Sequence, residues 1–303
     1  MKILTIGRVG QLGTELARQC PADWKMTSLD LPEIDLTDAE GAARLVTEAD
    51  ADIVINAAAY TAVDKAEAEE DLAYAINAAA PAAMAVAAAA RGAAFLHVST
   101  DYVYDGEGTE AYTPDRPTGP LGAYGRTKLA GDEAVAAAGG PHAVLRTSWV
   151  FSAHGGNFVK TMLRLGRERE KLTIVADQIG GPTAAGDIAA ALLVMARSFH
   201  AEQTGSGQTG SGQGTSEQGI SGIYHFSGAP DASWADFARE IFAQAGIDGV
   251  TVEDIPTTAY PTPAARPLNS RLDCASLEDT FGITRPDWRR SLAAVLKELG
   301  EIQ

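Results

Sequence analysis

The chain has 303 residues, and its 24 Lys and Arg against 40 Asp and Glu leave a formal charge of −16. That balance excludes a basic grip on nucleic acid, which needs clustered positive charge to displace phosphate counterions. At 46 % hydrophobic and 21 % charged residues the composition also excludes a chain too polar to fold, and two cysteines, Cys20 and Cys274, cannot build a disulfide framework.

The first ten residues, MKILTIGRVG, break into glycines too early for a secretory signal. The longest alanine-rich run, Ala78 to Ala90, is interrupted by Pro81, so no membrane span is expected and a reducing, cytoplasmic setting is. Short apolar runs at Lys2–Ile6, Lys25–Leu29, Ile53–Asn56, Ala94–Ser99 and Ala143–Thr147 alternate with Ala/Leu-rich helical stretches. That rhythm predicts an α/β fold with a doubly wound parallel sheet, the Rossmann arrangement, over residues 1–150. Past Trp149 the rhythm loosens, so 151–303 are expected to build mainly a smaller C-terminal substrate lobe, with a helix near 187–198 returning to the first domain. Residues 201–219, where TGSGQ occurs twice, read as a flexible surface insertion. Beyond it the pattern predicts a strand at Gly222–Ser227 and a helix at Trp234–Ala245 opened by Ser233. A proline-rich irregular stretch follows at Pro256–Pro267, and a last helix near Ser291–Leu299 is expected on the surface of the smaller lobe.

Gly7-Arg8-Val9-Gly10-Gln11-Leu12-Gly13 follows the first strand and opens the first helix. Glycines there let the backbone turn tightly and approach a pyrophosphate, and a helix N-terminus aims free N–H groups at the anion. Asp30 closes the second strand, where an acidic residue accepts hydrogen bonds from an adenosine ribose. Its charge favours NAD, whereas Arg8 in the turn favours a 2′-phosphate, so the residues leave NADPH and NADH both open. Tyr124-Gly125-Arg126-Thr127-Lys128 sets a phenol and an ammonium on one helical face. A tyrosine titrates near pH 10, and Lys128 is expected to stabilise its phenolate. Thr100, just past the fourth strand, is placed to hydrogen-bond a carbonyl oxygen. Turn, strand-end hydroxyl and Y-x-x-x-K in this order point to a nicotinamide-dependent carbonyl reductase.

These motifs, together with Asn56-Ala57-Ala58-Ala59-Tyr60-Thr61, Ser99-Thr100-Asp101-Tyr102, Arg146-Thr147-Ser148-Trp149 and Arg266-Pro267-Leu268-Asn269, resemble the extended short-chain dehydrogenase/reductase family, and within it the reductases of 4-keto sugar nucleotides. The resemblance implies reduction of the 4-keto group of dTDP-4-dehydro-L-rhamnose by NADPH or NADH. It makes Tyr124 the general acid, Lys128 its partner and Thr100 the third catalytic group. Gly7, Gly10, Gln11, Leu12, Gly13, Asp30, Asp35, Leu36, Ala59, Tyr60 and Thr61, with Tyr124 and Lys128, are expected to hold the cofactor. Thr100, Asp101, Trp149, Arg266 and Asn269 are expected to meet the dTDP-sugar, Arg266 gripping its pyrophosphate. Some members dimerise through magnesium bound at the first helix and after a G-x-P-T loop. Glu15 fills the first place, but Asp187 is the sole acid soon after Gly181-Pro182-Thr183. A homodimer is compatible with this sequence, and one bridged by magnesium is not expected. The histidines, His97, His142, His154, His200 and His225, lack metal-ligand spacing and read as structural. Two other readings stay open: a reductase of a different 4-keto-6-deoxy sugar nucleotide, and a non-catalytic dinucleotide-binding regulatory subunit.

Overall fold

The computed structural model describes residues 1–205 and 219–302. Five strands, β1 (Lys2–Ile6), β2 (Lys25–Leu29), β3 (Ile53–Asn56), β4 (Ala94–Thr100) and β5 (His142–Thr147), pair in parallel in the order β5–β4–β3–β1–β2. β3 is buried at all four positions, because crossover helices cover both faces of such a sheet. Alternate residues serve opposite faces. Ile3 packs with α1 (Gln11–Gln19) and the helix Ala185–Thr204, through Leu12, Leu16, Ile188 and Phe199. Leu4 packs with α2 (Ala39–Glu48), the helix Glu70–Ala90 and the helix Ala123–Ala137, through Val46, Met84 and Val135.

The sheet has a sixth strand, Gly222–Phe226, parallel to β5, and the helix Ala275–Phe281 packs beside it with Leu277 in the same core. Both come from the stretch assigned mainly to the smaller lobe. Pairing there satisfies the N–H and C=O groups that β5 would otherwise present at an open edge.

Pro81 does not end its helix. The chain widens into a π-helical turn over Ala75–Ala79 and resumes as α-helix at Ala80, with proline in the first turn, so the missing N–H costs no regular bond. The resulting 21-residue helix Glu70–Ala90 is long and apolar enough to cross a membrane, against expectation, and half of that span is buried inside this fold.

The smaller lobe has its own core. Helices Phe158–Glu168, Trp234–Gln244 and Trp288–Glu298 close over a parallel pair, Lys171–Val175 with Thr251–Ile255. Ser233 and Asp236 form a capping box at the head of the middle helix. The last helix begins at Trp288, earlier than predicted, because Asp287 accepts from the Arg289 N–H. It is not merely laid on the surface: Trp288, Leu292 and Leu296 are buried. Of the expected insertion at 201–219, residues 201–204 finish the helix Ala185–Thr204 and Gly205 caps it in the left-handed region (φ 64°). The repeats at 206–218 lie outside the described residues.

Candidate active site

The carboxyl ends of β1, β3, β4 and β5 open into a cavity of about 670 Å³ between the lobes. Gly7 turns the chain at φ 101°, and a Cβ there would stand 2.9 Å from the Ala58 nitrogen. At Gly13 a Cβ would lie 1.8 Å from the Gly7 carbonyl oxygen, so only glycine lets α1 dock on the turn. Gly10 caps α1 without a side chain, leaving first-turn N–H groups open to an anion. Asp30 accepts from the Val9 N–H at 3.0 Å and lines the cavity. This cradle fits a dinucleotide. Arg8, which sequence reasoning aimed at a phosphate, instead makes a two-pronged pair with Glu33 at 3.0 and 3.1 Å.

Thr100, Asp101, Tyr124 and Lys128 line the same cavity as Gly7, Gly10, Gln11, Leu12, Asp30, Ala59, Thr61 and Trp149. Gly125 brings the helix of Tyr124 down onto β4's end, since a Cβ there would lie 2.2 Å from the Tyr102 carbonyl oxygen. Burial pushes the Tyr124 phenol well above its ordinary range, Thr100's hydroxyl hydrogen-bonds it and partly offsets this, and the charges of Asp101 and Asp132 add to the rise. Burial lowers the Lys128 ammonium to about 8, with Asp132 acting in its favour. Lys128 donates to the Val98 carbonyl at 2.7 Å and lies 3.1 Å from His97 Nε2. In this arrangement the ammonium bonds β4's Val98 carbonyl and faces His97, and burial keeps the proton on the Tyr124 phenol.

Beneath the cavity runs a buried polar chain. His97 Nδ1 faces Asn56 at 3.1 Å, and Asn56 accepts from the Ala58 N–H that abuts Gly7. Asp132 holds Arg146 at 2.9 Å, Arg146 donates to the Tyr104 hydroxyl, and that oxygen meets His225 Nε2, both at 2.7 Å. Burial drives His97 well below its ordinary range and His225 to about 3, so both rings are neutral.

A sequence model described as the RmlD substrate binding domain matches residues 1–301. The chain belongs to that family. The dTDP-4-dehydrorhamnose reductase of Sinorhizobium fredii is 43% identical over 96% of this chain and 95% of its own. A solved dTDP-4-dehydrorhamnose reductase from Clostridium acetobutylicum superposes with a TM-score of 0.88 at 38% identity, covering 99% and 100% of the two chains. A Bacillus anthracis dTDP-4-dehydrorhamnose reductase, solved in complex with NADP, reaches 0.87 at 33% identity over 98% and 99%.

Several expected site residues of this family member lie off the cavity wall. Gly13 acts behind the turn. Asp35 accepts from the Thr37 N–H and hydroxyl, Leu36 packs into the core behind β1, and Tyr60 puts its phenol on Glu69. Asn269 is buried and spends its amide on the Glu107 and Glu110 carbonyls at 3.2 and 2.8 Å. Strand parity explains the miss: Asn269–Ser270 is a short strand, and Ser270 is the residue turned to Asp101. Arg266 pairs with Asp64 at 2.9 Å, near Tyr102 at the rim.

Trp149 is in the left-handed region (φ 49°), strained for an indole, and stacks on Trp234 at 3.7 Å between ring centres. Trp234 and Phe158, from the smaller lobe, complete the wall, and neither carried a sequence signal beyond an ordinary apolar helix position. Asn77 was also missed. It accepts from the Tyr60 N–H and donates to the Thr127 hydroxyl, tying the Ala59–Thr61 loop to the helix of Tyr124. One turn past Gln11 on α1, Glu15 meets His154 Nε2 at 3.1 Å, Glu298 meets the same nitrogen at 3.4 Å, and Arg18 pairs with both carboxylates. These three ligand atoms lie within 4.8 Å of one another, a convergence the sequence spacing did not predict.

Proposed function

We propose that this chain reduces the 4-keto group of dTDP-4-dehydro-L-rhamnose to the alcohol of dTDP-L-rhamnose, with NADPH as reductant and NADH as the alternative. The observation that carries the reading is the convergence of Thr100, Tyr124 and Lys128 on the cavity that the Gly7–Gly13 turn opens. The dinucleotide, when bound on that turn, supplies the hydride. Tyr124 supplies the proton: its half-buried phenol stays protonated at neutral pH and so is an acid throughout the working range. Thr100 hydrogen-bonds the Tyr124 oxygen, which leaves the phenol hydrogen for the substrate oxygen. Lys128, anchored on Val98, provides a fixed positive charge beside the reacting atoms. The Trp149–Trp234 stack offers an apolar wall to the deoxy-sugar. Arg266, which pairs with Asp64 at 2.9 Å, is the cation assigned to the diphosphate.

The test is turnover of dTDP-4-dehydro-L-rhamnose with each dinucleotide. Tyr124→Phe is expected to lose about 10²–10⁴-fold in kcat with KM for the dinucleotide little changed. Absence of turnover in the unaltered protein, or full activity in Tyr124→Phe, overturns the reading.

A further inference from the structure

We propose that Asp101 works as a neutral carboxylic acid whose hydrogen bond to Thr100 turns the Thr100 hydroxyl toward Tyr124 and so aims the Tyr124 proton at the substrate. It is a positioning residue, and the proposal rests on Tyr124 being the acid.

The argument is a count of hydrogens. A threonine hydroxyl has one hydrogen to give and two lone pairs to receive. Thr100 Oγ1 receives the Tyr102 N–H at 3.2 Å. Its two remaining neighbours are Asp101 Oδ1, at 3.0 Å, and the Tyr124 phenol. If Asp101 were a carboxylate it could only accept, so it would claim the single hydroxyl hydrogen of Thr100. Thr100 would then face Tyr124 with a lone pair, and the phenol would spend its hydrogen on Thr100 rather than on a ketone. With Asp101 neutral the order reverses. Asp101 donates to Thr100, Thr100 donates to the Tyr124 oxygen, and the Tyr124 hydrogen is left for the cavity. Asp101 keeps its proton through the turnover. The ketone carbon takes the hydride and its oxygen takes the proton of Tyr124, so charge and atoms balance.

The surroundings favour the neutral form. Asp101 is 2 % exposed, and among the described residues no cation pairs with it. Oδ2 has no hydrogen-bond partner there. The polar groups that face it are Thr100 from its own strand end, Tyr124 from the helix Ala123–Ala137, and Ser270 from the strand Asn269–Ser270. The charges beyond them are Arg266 and Asp64, which bear on Tyr102, Asp132, which bears on Tyr124, and Lys128, which lines the same cavity. Burial moves the carboxyl to about 6 against the pull of Ser270, Thr100 and its own backbone N–H.

Asp101→Asn separates the two states, because an amide donates to Thr100 but cannot ionise. The experiment measures kcat and KM from pH 5 to pH 9 for the unaltered protein, Asp101→Asn and Asp101→Leu, with the infrared carbonyl band of a neutral carboxylic acid recorded on the resting protein. The unaltered protein is expected to lose kcat as pH rises through the titration of Asp101. Asp101→Asn is expected to stay within about threefold of the low-pH kcat and to lack that decline. Asp101→Leu, with no donor, is expected to fall roughly 10- to 100-fold in kcat at every pH. The difference spectrum between the unaltered protein and Asp101→Asn is expected to show that band near pH 6, where ordinary carboxyls are ionised. If Asp101→Asn is as impaired as Asp101→Leu, or keeps the original pH profile, or the band is missing from the unaltered protein, the proposal is overturned. An inactive Tyr124→Phe beside any of those outcomes leaves the reductase reading standing, whereas a fully active Tyr124→Phe removes that reading itself.

Discussion

The two walls of the cavity are built by different physics. The wall of the glycine turn is made of backbone: Gly7, Gly10 and Gly13 work by what they lack, and Asp30 fixes the turn by a bond to the Val9 N–H. The opposite wall is made of buried side chains brought in from distant segments. Asp101, Tyr124 and Lys128 each titrate away from their ordinary range because burial removes water from their charged forms. The first wall is steric and should respond to added atoms. The second is electrostatic and should respond to pH.

The largest effect outside the Tyr124 test falls on the electrostatic wall. A carboxyl raised in the folded state to about 6 contributes stability that is fully present below about pH 4 and lost as pH rises through 6. Asp101→Asn, which cannot ionise, is therefore expected to be more stable than the unaltered protein by about 3 kcal/mol at pH 8, with the difference vanishing near pH 4. Urea unfolding at the two pH values reads this directly, and an equal effect at both would break the contrast.

On the steric wall, Gly13→Ala places a methyl against the Gly7 carbonyl. It is expected to cost about 1–3 kcal/mol and to raise KM for the dinucleotide, at all pH values alike. Isothermal binding of the dinucleotide checks the second part, and unchanged affinity would show that the turn has slack.

Trp234→Ala removes the partner of Trp149 and sharpens the division by ligand. About 0.5–1.5 kcal/mol of stacking is lost, KM for the sugar nucleotide rises, and KM for the dinucleotide stays put. Steady-state kinetics with each ligand varied in turn decides it. Smallest is Ser233→Ala, at the cap of the same helix, expected to cost about 1 kcal/mol in thermal unfolding while moving neither KM.

The steric wall was legible because its signals are local. A strand, a glycine turn and a helix follow one another in thirteen residues, and their spacing carries the geometry. The Tyr124–Lys128 pair was legible for the same reason, as neighbours one helical turn apart. Where Asn269 points was not legible, because one residue of strand register decides which side chain faces the cavity, and pairing with Ile179–Gly180 sets that register. Trp234 and Phe158 were silent, since an aromatic residue on an amphipathic helix reads as core wherever it later lands.

The sequence by itself determined the parallel sheet, the glycine turn and the Tyr124–Lys128 spacing, because each rests on residues near in the chain. Tertiary structure alone decided where Lys128 spends its charge, which strand closes the edge of β5, and how far burial moves Asp101 and Tyr124. Those outcomes depend on how much water is excluded around a side chain and on which backbone groups are left to pair, and both are set by segments tens of residues or more away in the chain.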